Sequence, residues 1–145
     1  MSNMGWGDID NLLEDVKDKF WEDRIKKSIH IILNRYNLSL SEVLVTRQKI
    51  NPDELYIASI EECDLKRAKE LSKKYPGVPA PLTVIQYRHK KVLFMGSNRS
   101  IRFILKKQKP DCIVIKFPNY KRPEILSKAK LTLKEVIERQ KNNYR

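Results

Sequence analysis

The chain reads as a member of the α/β class in an α+β arrangement, and three observations carry that reading. Apolar residues recur at helical spacing through the first 36 residues: Ile9, Leu12, Leu13, Val16, Phe20, Ile25, Ile29, Ile32, Leu33 and Tyr36. Three short apolar runs then read as strands: Leu82–Tyr87, Val92–Met95 and Cys112–Phe117. Between the second and third, Gly96-Ser97-Asn98-Arg99-Ser100 opens a helix, and the last thirty residues return to helical spacing.

Taken in order, residues 1–7 read as a frayed start. Asp8 is a plausible N-cap for one long amphipathic helix, with a break expected near Glu22-Asp23. Ser39-Leu40-Ser41-Glu42 has the form of a capping box and predicts a short second helix through about Thr46. Asn51-Pro52-Asp53 is a turn before a short strand at residues 55–59. Leu65, Ala68, Leu71 and Tyr75 mark a helix that ends ahead of Pro76-Gly77. Pro118 and Pro123 bracket a loop, a short helix covers about 124–129, and Thr132-Leu133-Lys134-Glu135 caps a last helix reaching about Asn142.

Charge narrows the partners. The chain carries 30 Lys+Arg against 18 Asp+Glu, a formal net charge of +12. Residues 1–60 hold 8 basic and 10 acidic side chains, and residues 61–145 hold 22 basic and 8 acidic. From Lys66 to Arg122 there are 16 basic side chains against Glu70 and Asp111. A field of that sign favours nucleic acid, a nucleotide or another polyanion. By contrast, residues 8–23 hold seven acidic and two basic side chains, so the first helix could mask the basic surface or simply pack on the core.

Other classes are set aside. At 145 residues the chain suits one ordinary domain with a proper core. No apolar run nears 20 residues and no signal peptide is visible, so the expectation is a cytoplasmic protein without membrane contact. Cys63 and Cys112 are isolated, Cys112 within an apolar run, and with His30 and His89 they give no metal-ligand spacing.

The strand–Gly–helix junction is the candidate site. A glycine there allows a tight turn and close backbone approach, and the following N–H groups form a helix end that attracts anions. Gly96, Ser97, Asn98, Arg99 and Ser100 are therefore the candidate phosphate-binding residues, with Arg99 able to supply a two-pronged contact. Arg88, Lys90, Lys91, Arg102, Lys106 and Lys107 are the side chains expected to touch nucleic-acid phosphates around it.

The order strand–turn–strand–Gly-x-x-Arg–helix–strand resembles the ParB/sulfiredoxin-like domain over residues 50–118. The residues that carry the resemblance are Pro81-Leu82-Thr83-Val84 and Met95-Gly96-Ser97-Asn98-Arg99. It implies a small mixed-sheet core at 50–118, an N-terminal helical region at 1–49 and a C-terminal helical extension at 119–145. It also implies that the Gly-x-x-Arg turn cradles nucleotide phosphates such as those of ATP, ADP or CTP with Mg²⁺. The chain departs from that family's members in telling ways. Ser97 stands where sulfiredoxins carry their nucleophilic Cys, which argues against sulfinic-acid repair. In the free-serine kinases the turn has an Asp where this chain has Met95, although Glu62-Cys63-Asp64-Leu65-Lys66-Arg67 matches their catalytic Glu element. The nuclease-like relatives would need a carboxylate cluster that the chain lacks. The leading expectation is a DNA- or nucleotide-binding protein. The alternatives are an ATP- or ADP-dependent small-molecule kinase with Glu62 as base, and an interaction module that pairs, with itself or a partner, through the N-terminal helix. Glu61, Glu62 and Asp64 could instead serve the start of the following helix, Asp64 as its N-cap.

Overall fold

The computed structural model describes residues 4–143. It is a mixed α/β fold built on a six-stranded sheet. The strands are β1 (Leu44–Lys49), β2 (Leu55–Ile57), β3 (Leu82–Tyr87), β4 (Lys90–Met95), β5 (Asp111–Lys116) and β6 (Leu131–Thr132). The helices are α1 (Trp6–Leu12), α2 (Lys19–Arg35), α3 (Leu65–Lys74), α4 (Ser97–Leu105), α5 (Ile125–Lys128) and α6 (Leu133–Asn143). Sheet order is β1-β5-β3-β4-β2-β6. The β5–β3 and β4–β2 pairs are parallel, and β1–β5, β3–β4 and β2–β6 are antiparallel.

Alternation along the central strands divides the core into two layers. Val84, Cys112 and Val114 face α3, α4 and α6, where Leu65, Ala68, Ile101, Phe103, Leu133 and Val136 complete one cluster. Ile85, Ile113 and Ile115 face the other way, onto Ile9 and Leu13 and onto Ile25, Ile29 and Ile32 of α2. Each such fully buried isoleucine contributes about 1.5–3 kcal/mol. Between α2 and β3 lies one polar contact in this apolar layer. Ser28 Oγ donates to Ile25 O (2.6 Å), so the proton between Ser28 Oγ and Thr83 Oγ1 (2.7 Å) comes from Thr83.

Four details differ from the sequence reading. The N-terminal helix is two helices that break at residues 13–18, not at Glu22-Asp23, because Asp18 caps α2 by accepting from the Phe20 N–H (3.0 Å). Trp6 and Gly7 already belong to α1, whereas residues 1–3 of the expected frayed start lie outside the described residues. The Ser39–Glu42 capping box forms, Glu42 Oε1 accepting from the Ser39 N–H (3.0 Å), but it closes only one 3₁₀ turn at Leu40–Glu42. The chain then runs straight into β1, so the expected helix through Thr46 is a strand. The sheet thus extends past residues 50–118 on both sides, through β1 and β6.

Other local readings hold. Asp64 Oδ1 caps α3 from the Arg67 N–H (3.0 Å), and Thr132 and Glu135 cap α6 reciprocally. Cys112 is fully buried and Cys63 nearly so, both as free thiols. Of the apolar stripe of α2, Ile25, Ile29, Ile32 and Leu33 are buried within the chain itself. Among the described residues no helix is long and apolar enough to cross a membrane.

Candidate functional site

Gly96 sits at the hinge between β4 and α4 with φ +112°, ψ 35°. That left-handed backbone is open to glycine and strained for other residues. Space enforces the same choice. A Cβ there would lie 2.7 Å from Leu82 Cδ2 and 3.1 Å from Arg99 Nη2. The Ser100 N–H closes the first helical turn on Gly96 O (2.8 Å), and Ser100 Oγ donates to Ser97 O (2.5 Å). The amides of residues 97–99 are left at the helix end.

The surroundings of this helix end are acidic. Asn98 Oδ1 accepts from the Asp64 N–H (3.1 Å), which ties α4 to the start of α3. Ser97 bonds to the Cys63 thiol, whose pKa burial pushes up to about 11, helped by Glu62 and Glu61 nearby. Glu61, Glu62 and Asp64 therefore flank the amides that the sequence nominated for phosphate. Their field opposes an anion there. Among the described residues no group of three or more His, Cys, Asp or Glu is placed to hold a metal ion.

Arg99 does not point out of the helix end. It is 6% exposed, and its Nη1 donates to Pro81 O (2.7 Å) and Ala80 O (3.1 Å). Its guanidinium carbon lies 4.3 Å from the centroid of the Trp21 ring. Burial, with Arg24 and Arg102 close by, pulls its pKa down to about 10. Arg99 is thus an internal brace between α4, the approach to β3 and α2.

Beside that brace opens a cavity of about 950 Å³. One wall is the α1–α2 connection and the first turns of α2, with Phe20, Trp21 and Arg24. The opposite wall is the segment 75–81, and the floor carries Arg102 of α4. Phe20 is 56% and Tyr75 54% exposed, large aromatic surfaces left wet. Arg24 lies over the Phe20 ring at 5.3 Å and near Trp21 at 6.0 Å. Arg102 is buried; its Nη2 donates to Tyr75 O (2.7 Å), but its Nε meets no partner. Lys106 Nζ donates to Pro76 O and fastens the same wall.

The far end of the cavity is a closed ion-pair clasp. Arg47 of β1 bonds Asp111 through Nε (3.2 Å) and Nη2 (2.7 Å), Leu12 O through Nη1 (2.8 Å), and both oxygens of Asp15. The guanidinium holds the Asp15 carboxyl below its ordinary value, and the two carboxylates raise the pKa of Arg47 in turn. Those acidic groups are internally neutralised. Arg24 and Arg102 of the lining, and Arg99 close to both, have no ion-pair partner among the described residues.

The remaining basic residues singled out in the sequence do not converge on Gly96. Arg88, at φ +54°, forms the β3–β4 turn with Lys90 and Lys91 beside it, at the opposite end of β4 from Gly96. Six residues of strand separate those ends by roughly 17–20 Å. Lys90 Nζ donates to Leu126 O (3.1 Å) and lies over the Tyr56 ring, which joins the hairpin to α5. Lys107 lies exposed just beyond the end of α4, with a left-handed backbone at φ +58°. The cavity itself escaped the sequence reading because five separate segments build it. Phe20-Trp21 with Arg24 one turn later, and Pro79-Ala80-Pro81, were its only linear traces. Comparisons with protein-family models, curated proteins and solved structures find no significant match to this chain.

Proposed function

We propose that the chain is a binding protein of the ParB/sulfiredoxin-like kind whose ligand is nucleic acid or a nucleotide, seated in the cavity between α2 and the 75–81 segment. One observation carries the reading: Arg24 and Arg102 line a wet aromatic cavity with the buried Arg99 close to both, and none of the three guanidinium groups is ion-paired among the described residues. Like charges held together cost free energy, and an anion bound among them recovers it. The unpaired Nε of Arg102 is a buried donor awaiting an acceptor. The exposed faces of Phe20 and Tyr75 suit the planar part of the same ligand, because bases stack on aromatic rings. The net charge of +12 adds a long-range attraction. In this reading Gly96 and Arg99 act by shaping the cavity wall, while Arg24 and Arg102 face the phosphate.

Arg24 is the residue to test, because it is exposed and lines the cavity. Arg24→Ala is expected to weaken binding of a nucleotide or a short oligonucleotide by about 1–3 kcal/mol, the scale of a charge-assisted contact. Titration of ATP, CTP and a fluorescent oligonucleotide, at two salt concentrations, measures it. Equal affinities of parent and variant for every phosphate ligand would dismiss the site.

A further inference from the structure

A second basic feature lies outside the cavity. Helix α3 carries Lys66, Arg67, Lys69, Lys73 and Lys74 against the single acidic residue Glu70, and all five basic side chains are exposed. Residues 66, 69 and 73 follow the i, i+3, i+7 spacing that aligns side chains on one helix face. None of these three lysines is ion-paired among the described residues; Arg67 alone on α3 approaches an acid, Glu70, at 3.9 Å. At the first turn the stripe meets α6, where Leu65, Lys66, Lys69 and Lys141 line a depression of about 340 Å³. Beyond the last turn, Tyr75 has Lys74 Nζ 5.4 Å from its ring and lines the large cavity.

We infer that this lysine stripe is a phosphate-backbone track, and that the chain's ligand is a single-stranded polynucleotide rather than a free nucleotide. The inference rests on the cavity reading above and names its ligand class. At 1.5 Å per residue, Lys66 and Lys73 stand about 10 Å apart along the axis, so the stripe spans more than one phosphate. An exposed aromatic ring, Tyr75, stands directly beyond the helix beside Lys74, and proteins that hold single strands combine cations along the backbone with rings on which bases stack. Stacking on Tyr75 and Phe20 requires bases that are not paired, which selects a single strand over a duplex. A membrane surface fits less well, because the apolar side chains of α3 face inward: Leu65 and Ala68 are buried and Leu71 half-buried.

The experiment compares the full chain with Lys66→Glu/Lys69→Glu/Lys73→Glu and with Arg24→Ala. The probes are fluorescein-labelled (dT)20, thymidine 5′-monophosphate, a hairpin duplex of equal length and phosphatidylserine vesicles. The triple variant should weaken (dT)20 binding at least thirty-fold and leave thymidine 5′-monophosphate within two-fold. Its slope of log K against log salt should be shallower by about 2, from three contacts at roughly 0.7 each. Arg24→Ala should weaken both ligands. Should the triple variant bind (dT)20 with the parent's affinity and slope, the track is overturned, while the cavity reading still stands if Arg24→Ala weakens the mononucleotide. Tighter binding of the duplex than of (dT)20, or vesicle binding that the triple variant abolishes while (dT)20 is unaffected, would overturn the single-strand assignment as well.

Discussion

The guanidinium carbon of Arg99 lies over Trp21, 4.3 Å from the ring centroid, while its Nη1 donates to the carbonyls of Ala80 and Pro81. One side chain thereby joins α4, the approach to β3 and α2. Arg99→Ala is expected to destabilise the fold by about 2–4 kcal/mol, through two lost charge-assisted hydrogen bonds and a cation–π contact. Arg99→Lys should recover only part of that, since an ammonium lacks the planar fork. Urea denaturation followed by Trp fluorescence measures both. Stability unchanged in Arg99→Ala would show that the brace carries no weight.

Gly96 should tolerate no side chain. Gly96→Ala combines a strained φ with a Cβ 2.7 Å from Leu82 Cδ2. A cost of about 1–3 kcal/mol is expected, read as a drop in melting temperature. An Ala variant as stable as the parent would mean that the turn relaxes into an ordinary conformation.

The Asp15–Arg47–Asp111 clasp gives the fold an acid-sensitive component. The folded Asp15 pKa lies below its ordinary 3.8, so the clasp contributes stability above that pH and loses it as pH falls through the lower folded value. Asp15→Asn should therefore flatten the acid limb of a stability-versus-pH curve below about pH 4, and change little in its shape near neutrality. An acid limb identical to the parent's would assign that limb to other carboxylates.

Removing the N-terminal helix is not a neutral operation. Ile9 and Leu13 are fully buried against the α2 layer. Ile9→Ala should cost about 2–5 kcal/mol, as core truncations do. On that cost, deletion of α1 is expected to unfold the chain rather than unmask the basic surface. Calorimetry of Ile9→Ala decides it, and a loss below about 0.5 kcal/mol would return α1 to the status of a removable cover.

Incubation with ATP, Mg²⁺ and serine is expected to yield phosphoserine no faster than a protein-free control. Glu62 is exposed on a 3₁₀ turn, and an Asp is missing at Met95. Product that Glu62→Gln abolishes would instead place the chain among phosphotransferases.

The central hairpin, the Gly96 turn, α4 and β5 could be read directly, because Leu82–Tyr87 and Cys112–Phe117 are apolar runs and Gly96 marks the one abrupt junction between them. The two edge strands could not. In β1, Leu44-Val45-Thr46-Arg47-Gln48-Lys49 buries only Val45, so a half-wet edge strand looks polar. β6 has two residues. The break between α1 and α2 hid because Leu13 and Val16 keep the helical spacing across it. Arg99 was legible as important but not as internal. Its partners are backbone carbonyls, which a sequence shows at every position alike.

The order of the sheet has a consequence for synthesis. Among the described residues strand β1 pairs with β5 alone: Leu44 waits for Lys116 and Lys49 for Asp111, roughly 60–70 residues later along the chain. β2 in turn lies between β4 and β6, both downstream. A ribosome emitting about 5–20 residues per second leaves β1 unpaired for several seconds. Such long-range pairing is also slow once the chain is complete. The polar, charged face of β1 protects it during that interval, since Arg47 and Lys49 discourage pairing with other nascent strands.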